Sequence, residues 1–386
     1  MTIFKFQYLI DDRVNYLQMI LTRIFARHTK LQSERIAFNI VNRFGSSQSC
    51  DDRQEKYAVV SLYHLNRIEN VDKVSRDVMR WLQYVEATGR FQINKQGVNC
   101  QLCFKTLDNL EPFKQLLSEQ LDVNEGDLRA KVHLADFNVF KKLRMKQKLL
   151  EYLDDDADIS DRGEHLDSEV WNEILDTDDE ALVLDIRNGW EWDVGRFKQA
   201  ERPGYQRFKQ FTQMVEEVVD TVKEDRERKV MMYCTGGIRC ELFSSMLKKE
   251  GVKNVFQLQD GVLGYGSGSV EDSRHWEGNL FVFDDRLVVP IDGVVGGDKD
   301  KPVSVCRFCG AVTHMVYNCN SLQCNAVFVA CMQCAAERQG FCSEQCCSVT
   351  SPDHQFVARN TRQWRGKLIG RGHHYRELMT NMARNN

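Results

Sequence analysis

The stretch Lys229-Val-Met-Met-Tyr-Cys234-Thr-Gly-Gly-Ile-Arg239-Cys240-Glu241 decides the fold of the larger part of this chain. The apolar run after Lys229 predicts a strand buried on both faces, and the pattern beyond the two glycines predicts a helix over 240–250. Thr235, Gly236, Gly237 and Ile238 join the two, and the glycines let the backbone curl without Cβ clashes. A cysteine at the carboxyl end of a strand, before such a loop and a helix start, lies in an anion cradle. Loop N–H groups turn inward, the helix N-terminus adds positive potential, and Arg239 adds a full charge. All three favour thiolate over thiol, so Cys234 is expected to be a nucleophile with a lowered pKa. Cys240 is expected to be buried in the helix and inert.

Working outward, Ala181-Leu-Val-Leu-Asp-Ile-Arg187 reads as a continuous apolar strand, and Val255–Leu258 as another. A helix over 205–223 and a short one over Leu166–Leu175, capped by Asp167 or Ser168, alternate with them. Strands alternating with helices imply a doubly wound parallel sheet, here over 166–290. Upstream, the order is strand 57–65, helix 70–87, strands Arg90–Asn94 and Val98–Phe104 about Gln96-Gly97, helix 108–121 and strand Asp127–Leu134. That βαββαβ order is a ferredoxin-like α+β sandwich over 57–150. Cys100 and Cys103 fall on one of its strands, where residues three apart face opposite ways, so no metal or disulfide pair is expected there. The fold class is therefore multi-domain α/β.

The cysteines are unevenly spread: nine of 14 lie between Cys306 and Cys347, and the rest of the chain shares five. They form the pairs Cys306/Cys309, Cys319/Cys324, Cys331/Cys334 and Cys342/Cys346, with Cys347 spare and His314 a weak substitute. Such spacing in a reducing compartment is a zinc signature, and eight thiolates suit two structural, tetrahedral zinc ions in a module over 300–350. A cross-brace and a sequential pairing are both open.

Net charge is only −4, but its distribution is uneven. Residues 151–180 hold fourteen Asp/Glu against one Arg, so 151–165 reads as an acidic linker. Lys141, Lys142, Arg144, Lys146 and Lys148 form a strip, either a solvated edge or a phosphate-contacting surface. The tail, 351–386, has seven Lys/Arg against two Asp/Glu and reads as either a flexible terminus or an RNA-facing segment, with Trp364 and Tyr375 available to stack on bases. Residues 1–56 read as a helical extension, with an apolar stripe (Leu17, Ile20, Leu21, Ile24, Phe25) expected opposite a basic face. It packs on the next domain or meets a membrane or RNA surface. No run of 18 apolar residues occurs, which excludes a membrane-spanning helix. The start lacks a secretory pattern, so the expected location is the cytosol; Arg13, Arg23, Arg27 and Lys30 keep a mitochondrial presequence open. The oligomeric state is left open.

The Cys234–Glu241 segment resembles the signature of the rhodanese-domain proteins that hydroxylate the wobble uridine of tRNA. Asp185-Ile-Arg187-Asn188 with Glu191 and Gly195-Arg-Phe-Lys198, Trp276-Glu-Gly-Asn-Leu-Phe-Val-Phe-Asp-Asp-Arg286, and Gln96-Gly-Val-Asn99 resemble further motifs of the family. Over about residues 57–347 the resemblance implies a tRNA substrate and oxygen-dependent formation of 5-hydroxyuridine. It also implies Cys234 as the catalytic thiolate and Asp185, Arg187 and Glu191 as supporting residues. No flavin or nicotinamide is expected, and no Rossmann glycine fingerprint is present. Two alternatives stand beside it: a sulfurtransferase taking sulfur from a small donor as a Cys234 persulfide, and a non-catalytic rhodanese–zinc adaptor.

Overall fold

The computed structural model describes residues 56–148, 160–202, 211–225, 227–267, 273–291, 302–321, 324 and 326–348. The expectations for the N-terminal extension and for the basic tail with Trp364 lie outside these residues.

The first sheet has the order β4-β1-β3-β2-β5. It comprises β1 (Tyr57–Leu65), β2 (Thr88–Asn94), β3 (Gly97–Phe104), β4 (Lys131–Ala135) and β5 (Leu143–Lys146). Helices α1 (Val71–Tyr84) and α2 (Leu110–Leu121) cover one face. The two-residue period explains why: Ala58, Val60, Leu62, Phe91, Ile93, Cys100, Leu102 and Phe104 are fully or almost fully buried. Trp81 of α1 stacks on Phe113 of α2 at 5.8 Å, edge-on to Phe104 at 6.1 Å. Cys103 joins a separate cluster with Val59, Val139 and Phe140 on the other face, so it and Cys100 do point apart. Burial pushes the Cys100 thiol up to about 12. Two differences from the sequence reading have local causes. Glu125–Asp127 closes a 3-10 turn, with Leu128 N–H donating to Glu125 O at 3.1 Å, so β4 starts at Lys131 rather than Asp127. The basic strip forms a fifth strand, β5, paired parallel to β2 at the sheet edge.

The second sheet is parallel, in the order β6-β10-β9-β7. Its strands are β6 (Glu164–Leu166), β7 (Leu182–Asp185), β9 (Val230–Tyr233) and β10 (Val255–Leu258); β8 (Gly195–Phe197) lies outside it. β6 is built from residues read as the end of the acidic linker. Helices α3 (Ser168–Thr177), α4 (Gly189–Val194), α5 (Phe211–Val222), α6 (Ile238–Lys249) and α7 (Gly261–Tyr265) accompany it. Alternate residues of β9 feed the two cores. Val230 and Met232 join Leu184, Val218, Phe243 and Leu247, while Met231 and Tyr233 join Trp171, Phe197, Tyr265 and Trp276. Helix α6 starts two residues earlier than its apolar pattern suggests, because Gly237 takes the turn at φ +97°. Arg239 therefore sits in the helix's first turn.

β11 (Trp276–Gly278) pairs antiparallel with β8, and β12 (Leu280–Phe281) with β13 (Val288–Val289). The last module is a hairpin, β14 (Val316–Asn318) and β15 (Val327–Val329), followed by α8 (Met332–Glu337) and α9 (Glu344–Ser348). Val316 and Val329 pack on Val194 and Phe281, which ties the module to α4. No helix among the described residues is long and apolar enough to cross a membrane.

Candidate active site and metal centres

Cys234 follows the last residue of β9, and its loop is held from behind by α7. Val262 and Leu263 N–H groups donate to the carbonyls of Cys234 and Thr235, each at 3.0 Å. Gly261 must be glycine at φ +62°, since a Cβ there would lie 2.5 Å from Cys234 O. The fixed loop turns Gly237 N–H onto Cys234 Sγ at 3.1 Å. Burial pushes the Cys234 thiol up. Hydrogen bonding from Cys240, the Arg239 charge and the backbone N–H groups of Cys240 and Arg239 outweigh that and bring it down to about 6. Cys240 moves the opposite way, raised well above its ordinary value by burial and by its hydrogen bond to Cys234. Iodoacetamide should therefore modify Cys234 at half its limiting rate near pH 6 and leave Cys240 and Cys100 essentially untouched at neutral pH. A mass-mapped rate profile with equal reactivity at the three would contradict this.

Arg239 is held by Glu191 through a two-pronged pair, Nη1 to Oε2 and Nη2 to Oε1, both 2.9 Å, and Nη2 also reaches Thr235 Oγ1 at 3.1 Å. Thr235 donates to Glu191 Oε1 at 2.7 Å, and Asn188 N–H to Oε2 at 3.0 Å. Burial alone would raise the Glu191 carboxyl; the charge and hydrogen bonds of Arg239 hold it at about 2. The Arg239 charge is thus shared between a fixed carboxylate and the sulfur, rather than aimed at the sulfur alone as its position in the sequence suggests.

Asp185 and Arg187 take a different place from Glu191. Both are completely buried and paired, Nη2 to Oδ2 at 2.6 Å, with Tyr233 OH donating to the same oxygen at 2.8 Å. Arg187 also donates to Gly195 O at 2.6 Å and lies over the Trp276 ring at 5.1 Å. This pair fastens β7 to β8 and β11, and neither residue lines the cavity described next.

A cavity of about 580 Å³ opens beside Cys234. One wall is the loop Cys234–Gly236 with Ile238, Arg239, Asn188 and Trp190; a second is Val282–Asp284 with Arg286. The third is the helix-free face of the first sheet, including Ser61, Arg90, Gln92, Asn99, Gln101 and His133. Sequence reading missed this third wall. Its signal is the polar phase of β2 and β3, which in isolation reads as a solvated face. The seam beside it is fastened by Tyr63 OH on Glu241 Oε1 at 2.7 Å, with His165 on the same oxygen at 3.0 Å, and by Lys131 with Asp260 at 2.6 Å. Arg144 and Lys146 lie in register with Arg90 and Gln92 across β5, so the exposed edge of this wall is cationic. Lys141 and Lys142 are exposed in the bend before it.

The cysteine pairs adopt the cross-brace. Cys306, Cys309, Cys331 and Cys334 converge in one group, and Cys319, Cys324, Cys342 and Cys346 in the other, with ligand atoms within 4.8 Å of one another. Each group could hold one metal ion. Cys347 is exposed and outside both, and His314 is engaged by Asn279 at 3.0 Å instead.

A cysteine cradled between a parallel-sheet strand and a helix start suits a rhodanese-like domain. Family comparison agrees: residues 167–267 match the family described as Rhodanese-like domain, 57–149 the UPF0176 acylphosphatase like domain, and 277–347 Rhodanase C-terminal. The chain is 35% identical over 298 residues to a Chlamydia felis protein named tRNA uridine(34) hydroxylase, covering 76% of this chain and 88% of that one. A Protochlamydia amoebophila protein of the same name is 34% identical over 333 residues, covering 85% and 98%. The chain belongs to the tRNA uridine(34) hydroxylase family.

Proposed function

We propose that the protein hydroxylates the wobble uridine of a tRNA, with Cys234 as the catalytic thiolate. The observation that carries the reading is the cavity that puts the cradled Cys234 sulfur opposite a polar wall, in a chain similar over most of its length to proteins named for that reaction. A thiolate is suited to add to an electron-poor ring carbon, and uracil has one at C6. Such an addition would break the C5=C6 π bond and raise the electron density at C5; molecular oxygen would place one atom there, its other atom leaving as water with two electrons from a thiol reductant, and loss of the C5 proton would restore the double bond and release the Cys234 thiolate. Arg239, the Cys240 thiol and the loop N–H groups hold the charge on sulfur before the attack. In this reading Glu191 is a positioning residue, fixing the Arg239 fork, and Asp185 and Arg187 support the sheet beneath it. Incubation of the purified chain with wobble-uridine tRNA under oxygen and a thiol reductant, followed by nucleoside mass spectrometry, tests it. A nucleoside one oxygen heavier than uridine is expected, and its absence together with a stable extra sulfur on Cys234 would favour sulfur transfer.

The cationic edge at β5 supports a tRNA path. Each phosphate contact accounts for roughly 0.7–0.9 in the slope of log affinity against log salt. Replacing Lys141, Lys142, Arg144 and Lys146 together by Ala should flatten that slope by up to about three and weaken all tRNAs alike. A filter-binding titration showing an unchanged slope would move the RNA path elsewhere. Trp364 is proposed as a second contact.

The metal is proposed to be zinc, structural at both sites. A tetrahedron of sulfurs about 2.3 Å from zinc has edges near ~3.8 Å. The observed Cys309–Cys331, Cys324–Cys342 and Cys342–Cys346 separations of 3.7, 3.6 and 3.7 Å fit it. Four sulfurs close each site, so neither ion would offer a position to substrate.

A further inference from the structure

The third cavity wall carries an ordered row of amides. Gln101 Nε2 donates to Asn99 Oδ1 and Asn99 Nδ2 to Gln92 Oε1, both at 3.1 Å. The row runs one way, so Gln101 Oε1 is left as an acceptor at one end and Gln92 Nε2 as a donor at the other. Strand register sets the neighbours: Ser61 lies directly across β1 from Gln101, and Arg90 directly across β2. Gln101 therefore stands between a residue that carries a hydroxyl and one that carries a guanidinium, the latter lying over the Phe140 ring at 5.9 Å. The same wall holds His133, whose Nε2 is buried with no hydrogen-bond partner. A helix-free sheet face kept this polar yet covered by another domain is costly unless a ligand completes its hydrogen bonds.

We propose that this wall reads the base of an extruded uridine, with Gln101 as the specificity-determining residue. The inference rests on the reaction proposed above. Uracil offers acceptor, donor, acceptor along O4, N3–H and O2. The wall offers donor, acceptor, donor at Ser61, Gln101 and Arg90. Cytosine offers a donor, N4–H2, where uracil has O4, and an acceptor at N3, so it would set acceptor against acceptor at Gln101. Reversing Gln101 alone would break its bond to Asn99, and reversing the whole row would turn Gln101 Nε2 outward beside Arg90, itself only a donor, so the row favours the acceptor that suits uracil. Trp190 and Phe283 line the same cavity and provide aromatic surface for the ring. The volume of about 580 Å³ suits one extruded nucleotide rather than a duplex step. Arg144 continues the row from Arg90 to the exposed edge, where the flanking phosphates would emerge.

The test is equilibrium binding by the full chain carrying Cys234→Ser. The probe is an anticodon stem-loop RNA with uridine at the wobble position, compared with the same RNA bearing cytidine there. Uridine should bind roughly 5- to 150-fold more tightly, the range supplied by one well-placed pair of base-edge hydrogen bonds. Adding Gln101→Met, close in size but without the acceptor, should bring the ratio near one by weakening uridine. Retained alkylation of Cys234 in the single Gln101→Met chain shows that the loop still folds. A ratio of one in the Cys234→Ser chain, or an unchanged ratio after Gln101→Met, overturns the proposal. Hydroxylation without base preference would sink the wall and keep the reaction. Base preference without any hydroxylated product would keep the wall and sink the reaction.

Discussion

Glu191→Gln should destabilise the protein by about 3–5 kcal/mol, the usual cost of removing one partner from a buried ion pair. The amide still accepts a hydrogen bond, but the Arg239 guanidinium stays charged and buried, with its carboxylate gone and the Cys234 sulfur left to balance it. A fall in the denaturant midpoint with an unchanged slope is the expected signature. The effect has a pH dependence whose sign follows from the carboxyl. Its folded value of about 2 lies below the ordinary 4.5, so the stabilisation is complete above pH 4.5 and is lost as pH falls from there towards 2. The difference between parent and variant should therefore shrink across that window. In the folded variant the whole Arg239 charge acts on the sulfur, so the Cys234 alkylation profile should shift to lower pH. A variant as stable as the parent at neutral pH would show that Glu191 does not balance Arg239.

Metal removal should have the other large effect. Among the described residues of 302–348, nearly half of the core cluster is cysteine, packed with Tyr317, Phe328 and Phe341. In small metal modules binding free energy is folding free energy, about 10–16 kcal/mol for structural zinc. Metal analysis should find two ions per chain, matching the two groups of four sulfurs. Chelation, or Cys319→Ser, should open the segment to proteolysis while Cys234 keeps its low-pH alkylation. A stripped protein that resists protease as well as the parent would contradict a structural role for the metal.

What the sequence reveals here follows from how local each signal is. The β9–loop–α6 unit is legible because its strand, glycines, cysteine and arginine are consecutive. The ferredoxin-like order is legible because each strand alternates and each helix has one apolar face. The cysteine spacing gives the number of metal groups but not their pairing, because either pairing satisfies the same spacing. The fold of the β14–β15 hairpin, which brings the first pair beside the third, decides it. The balance between Glu191 and Arg239 spans 48 positions and depends on α4 lying over the loop. The amide wall is the least legible part. Gln92, Asn99 and Gln101 have the pattern of an ordinary wet sheet face until the second domain covers them. Likewise Tyr63 reads as one more strand aromatic, and only its hydrogen bond to Glu241 shows it fastening the seam.

The central claim is that this chain oxidises wobble uridine through Cys234. Its most direct test is nucleoside mass spectrometry of tRNA from cells lacking the protein, re-supplied with either the parent chain or Cys234→Ala. In the deficient cells 5-hydroxyuridine and nucleosides built on it should disappear from the wobble position, return with the parent and stay absent with Cys234→Ala. Unchanged tRNA in the deficient cells, or full restoration by Cys234→Ala, would contradict it.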